Sequence, residues 1–107
     1  MTIYSVIDYR MNGRSPIAVF SSREFAEKFA AHYNFIAPMC RIEKFGVIGK
    51  QPLDSKTVFA CHEYHGGSDM DWLRAFYWDY DQALLDGDED HRTFRYGIDE
   101  RMREIAK

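Results

Sequence analysis

The chain has 107 residues, 46% of them hydrophobic and 16% aromatic, and carries a formal net charge of −3. That length supports one hydrophobic core rather than two independent ones, and that composition excludes a disordered chain. No apolar run reaches the ~18–20 residues that span a bilayer, the opening MTIYSVIDYR lacks a leader's basic and apolar regions, and mild acidity disfavours direct nucleic-acid binding. A cytoplasmic protein is expected.

Residues 2–10 alternate and are rich in β-branched and aromatic types, Asn12 and Gly13 supply a turn, and residues 16–20 return, so the chain should open with a β-hairpin. Ser21 then reads as a helix N-cap, with Glu24 completing a capping box and Phe20 and Phe25 placed as a hydrophobic staple. Phe25, Ala26, Phe29, Ala30 and Tyr33 form one apolar stripe, while Glu27, Lys28 and His32 face away. This helix should end near Asn34, before Pro38. Residues 40–48, CRIEKFGVI, read as a third strand, followed by a polar loop at 49–55 that contains Pro52.

From Lys56 the same order returns. TIYSVIDY at 2–9 lies over TVFACHEY at 57–64, and RIEKFGVI at 41–48 lies over RTFRYGID at 92–99. Gly66 and Gly67 answer the first turn, and the return strands end in Val19-Phe20 and Ala75-Phe76. In that alignment Tyr77 replaces Ser21, so the second helix must take Asp79 and Gln82 as its capping box and run only over 80–86 before Gly87; the alternative is one long strand over 71–80. A short terminal helix should start at an Asp99 N-cap, with Met102, Ile105 and Ala106 on one side. The expected fold is α+β: two ββαβ units at 1–50 and 55–99 and a tail at 99–107 in a single domain, giving an antiparallel or mixed sheet of about six strands with two main helices. Both faces of the opening strands carry apolar groups, so the second face must meet the other unit, the terminal helix or a second copy of the chain.

Val19, Phe20, Ser21, Ser22, Glu24 and Ala26 follow, with a slip of one residue, a pattern of Φ-Phe/Tyr-Ser-Ser-x-Glu-x-Ala leading from a strand into a helix. In this the first half resembles small bacterial and phage-encoded ββαβ domains of unknown function. The resemblance implies a compact domain of accessory or mobile-element proteins and implies no reaction; the second unit departs from it at the cap.

No catalytic constellation stands out. The CHEYHGG stretch at 61–67 holds metal-ligand types, but strand geometry puts Cys61, Glu63 and His65 on one side and His62 and Tyr64 on the other, with no companion cluster, so no metal is expected. Asp86, Asp88 and Asp90 begin like a calcium loop, yet His91 stands where that loop needs Gly and Gly97 where it needs Glu. Cys40 and Cys61 belong to no CxxC pair and read as buried thiols. No cofactor fingerprint is present.

Charge is the stronger signal. Asp69, Asp71, Asp79, Asp81, Asp86, Asp88, Glu89 and Asp90 are eight acids against the single base Arg74, which is −7 within 69–90 and leaves +4 on the rest of a chain whose total is −3. Trp72 and Trp78 lie among these acids. Aromatic anchors ringed by acid suit a protein partner with a basic surface. The leading expectation is therefore a non-enzymatic protein-binding module, a small phage or mobile-element protein that inhibits a basic, nucleic-acid-handling host enzyme. The alternative is a small-ligand or metal-binding domain with its site between the repeats at Tyr9, His62, Tyr64 and His65.

Overall fold

A computed structural model describes residues 1–8, 15–34, 40–65, 70–86 and 91–104, with side chains described for all of these except 15, 34, 63–65, 70–72, 91, 92 and 104. The expected Asn12-Gly13 and Gly66-Gly67 turns, Pro38, Gly87, Ile105 and Ala106 lie outside the described residues. Elements follow in the order β1 (Thr2–Asp8), β2 (Ser15–Phe20), α1 (Arg23–Asn34), β3 (Cys40–Gly46), β4 (Thr57–His65), β5 (Met70–Tyr77), α2 (Tyr80–Asp86) and β6 (His91–Gly97), then a 3-10 segment at Glu100–Glu104. The fold is α+β, its six strands forming two antiparallel sheets ordered β2-β1-β3 and β5-β4-β6.

The two sheets repeat each other residue by residue. Thr2 pairs with Gly46 and Asp8 with Cys40; 55 positions on in the first strand and 51 in the last, Thr57 pairs with Gly97 and Glu63 with His91. The hairpins repeat as well, down to a bulge between Val6 and Ile7 in one and between Cys61 and His62 in the other. In the first hairpin the bulge passes Ile17, which lets Ile17 and Ala18 both pack beneath α1, and it brings Pro16 opposite Ile7, where its missing N–H does least damage. Leu73 occupies Pro16's place in the second hairpin and the bulge persists. The return strands align differently from the sequence expectation. Tyr4 faces Phe20 and Phe59 faces Tyr77, so Tyr77 answers Phe20 and the offset is 57, not the 56 that matching Phe20 to Phe76 gave.

Neither sheet has two free edges. Just beyond β3, Ile48 makes a parallel bridge to Tyr77 of β5; just beyond β6, Ile98 makes one to Val19 of β2. These two bridges link the sheets into a ring, β2-β1-β3 across to β5-β4-β6 and back. Inside it lies a core built from both units, with Ile3, Ile7, Val19, Val58, Phe76 and Trp78 among its buried members. The second apolar face of the opening strands is thus met by the other unit of the same chain. Phe76 sits edge-on to both Phe45, at 5.0 Å, and Tyr96, at 6.2 Å between ring centres. Outside the ring, α1 covers Val6, Ala18 and Phe20 with Ala26, Phe29 and Ala30, and α2 covers Cys61 and Tyr77 with Ala83.

The helix start differs from the sequence reading. Ser22, not Ser21, is the N-cap: its hydroxyl accepts from the Phe25 N–H at 3.2 Å. Glu24 meets Lys28 instead of reaching back to the cap, and Arg23 meets Glu27, two exposed i,i+4 pairs. Phe20 packs on Phe29, centroids 5.3 Å apart, and Phe25 packs against the cluster that holds both. Ser21 is drawn off by a distant partner. The Asp99 carboxylate accepts from its N–H at 2.9 Å and from its hydroxyl. Asp99 stands at the N-cap position of the 3-10 segment, as expected, and its carbonyl takes the Met102 N–H, while its carboxylate serves Ser21. Arg101 lies over the Phe29 ring at 4.8 Å and Met102 packs in the α1 cluster, so the tail of unit two clasps the helix of unit one.

Two measurements test this framework. Gly49 holds φ at +97°, and a Cβ there would lie 2.8 Å from Gln82 Oε1 of α2. Gly49→Ala should lower stability by ~1 kcal/mol in chemical denaturation, and Gln82→Ala should not restore it, because the backbone angle and not the movable amide is the obstacle. Tyr96 donates its hydroxyl to the Pro16 carbonyl across the two units at 3.0 Å, and burial pushes that phenol up to about 12 from 10.0. Since the folded protein favours the neutral form, this contribution is complete below pH 10 and lost as pH rises through about 12. Alkaline titration of phenolate absorbance should show a late-ionising component that Tyr96→Phe removes.

Candidate functional site

The 57-residue offset carries past the return strands into the helices. Ser22 corresponds to Asp79, which caps α2 through the Asp81 N–H at 3.2 Å, as the sequence indicated. Ala26 corresponds to Ala83, and both are fully buried under their helices. Phe29 corresponds to Asp86. In α1 that position grips Phe20 ring to ring; in α2 the Asp86 carboxylate accepts a hydrogen bond from the hydroxyl of Tyr77, the counterpart of Phe20.

The outward faces then correspond too, and there the units part. Arg23, Glu24, Glu27 and Lys28 on α1 are all exposed and form two ion pairs. Their counterparts on α2 are Tyr80, Asp81, Leu84 and Leu85. Leu85 is 85% exposed, and Leu84 and Tyr80 are each 47% exposed, whereas among the described residues α1 exposes no large apolar side chain. Tyr80 leans one edge on Phe59, centroids 5.4 Å apart, and leaves the rest of its ring in solvent. Asp79, Asp81 and Asp86 are exposed around this apolar face, and the helix contains no base. Asp79 and Asp81 suit the positive end of the helix; Asp86, at its negative end, does not, and the Tyr77 hydroxyl compensates it.

Of the aromatics expected among these acids, Trp78 is a correction. It is 3% exposed and belongs to the core shared by the units, its backbone N–H donating to the Ile48 carbonyl just beyond β5, where the sheets join. The side chains of Asp71 and Trp72 and the whole of Asp69, Asp88, Glu89 and Asp90 lie outside the described residues. Leu84 and Leu85 were missed by sequence reasoning, since two leucines in a short helix read as core; only alignment with the charged pair Glu27 and Lys28 marks them as turned outward.

The alternative ligand site is not assembled by the described residues. His62 occupies the place of Ile7 in its repeat and is 2% exposed, its ring edge-on to Phe94 at 4.9 Å. Tyr9 and the side chains of Tyr64 and His65 lie outside the described residues. Among the described residues no three His, Cys, Asp or Glu side chains are grouped to hold a metal ion, Cys40 and Cys61 form no disulfide, and no helix is long and apolar enough to cross a membrane. A cavity of about 600 Å³ lies elsewhere, between the linker at 51–56 and the joint where Asp99 meets Ser21.

No protein-family model, curated protein or solved structure matches the chain.

If Asp86 positions α2 through Tyr77, Tyr77→Phe and Asp86→Ala should each destabilise the protein by ~1–2 kcal/mol and the double variant by little more than either alone. A double-mutant cycle by chemical denaturation reads this directly.

Proposed function

We propose that this protein is a non-enzymatic protein-binding module whose contact surface is the outward face of α2, with Leu84, Leu85 and Tyr80 as apolar anchors and Asp79 and Asp81 as the charges that select a basic partner. One observation carries the reading: at four matched helical positions α1 holds two solvated ion pairs, and α2 holds three exposed apolar side chains and an acid. Leu85, 85% exposed, packs little against this fold and with the half-exposed Leu84 and Tyr80 makes an apolar patch of the kind a partner covers. Desolvating the leucines supplies affinity, and the acids steer association and reject acidic competitors. The acidic run continues in sequence through Asp88, Glu89 and Asp90, which would widen the same contact.

We further infer that the partner is a nucleic-acid-handling host enzyme, inhibited by carboxylates standing where phosphates would bind, and that the protein comes from a phage or mobile element and works in the cytoplasm. Support for this lies in the small size, the −7 charge of residues 69–90 and the resemblance of the first unit to small phage-encoded domains.

The test installs the sister helix's charges. Leu84→Glu with Leu85→Lys should cost no more than about 1 kcal/mol of stability, since Leu84 is half covered and Leu85 nearly free, yet abolish affinity capture of a basic protein from the native host. Asp79 should be left intact as the cap; Asp81→Lys should weaken capture by ~10-fold at low salt and less at high salt. Capture that the leucine variant leaves unchanged, or a captured protein that is acidic, overturns the proposal.

A further inference from the structure

We draw no further inference here: the strongest candidate, the cavity of about 600 Å³ between the 51–56 linker and the joint of Asp99 with Ser21, is lined mainly by exposed loop residues and by a carboxylate already held within the fold, so nothing in the structure shows what would occupy it.

Discussion

Each three-stranded sheet needs the other's exit segment to complete it. Leaving β3, the chain crosses to β5, where the Ile48 N–H donates to the Phe76 carbonyl and the Ile48 carbonyl accepts from Trp78. Leaving β6, it crosses to β2, where the Asp99 N–H donates to the Val19 carbonyl, the counterpart of the first of those bonds. At the second bond the symmetry is kept in function and changed in chemistry, since the N–H of Ser21 is taken by the Asp99 carboxylate and not by a backbone carbonyl. The positive φ of Asp99, 61°, belongs to this substitution, because it turns the chain so that a side chain does the work of a peptide group. A hydrophobic interior drawn from both units follows from this exchange, and neither half retains its own inner face once separated.

Much of this was readable in the sequence. The duplication of β1 with β4 and of β3 with β6, at offsets of 55 and 51, is the pairing the ladders show, because strand registers are set by alternating apolar positions that survive divergence. The hairpin return was read one residue short: matching Phe20 to Phe76 preserves residue identity, but the ladder matches Phe20 to Tyr77, whose hydroxyl serves a contact that a string comparison does not weigh. The α1 cap was misread for a similar reason. Ser21 and Ser22 are equally good caps locally, and the choice between them is made by Asp99, 78 residues away.

The candidate surface was legible as charge and illegible as shape. Eight acids in 69–90 are visible in composition, and tryptophans are the natural anchors to nominate. Trp78, however, stands where the two sheets are joined, so burial claims it; the exposed apolar groups of α2 are Tyr80, Leu84 and Leu85, which only the repeat, once correctly registered, reveals as out of place.

The exchange of a ring contact for a hydroxyl–carboxylate contact beneath the second helix has a mechanical side. Phe29 resting on Phe20 is held by dispersion, which changes little when a helix rolls by a few degrees, whereas Asp86 on Tyr77 is directional and weakens steeply with misalignment. A helix of seven residues with a single buried alanine takes its azimuth from few contacts, the Tyr80 ring against Phe59 at its start and this bond at its end. The Tyr77 hydroxyl therefore acts as an angular stop at the end of the helix from which Leu84 and Leu85 look out.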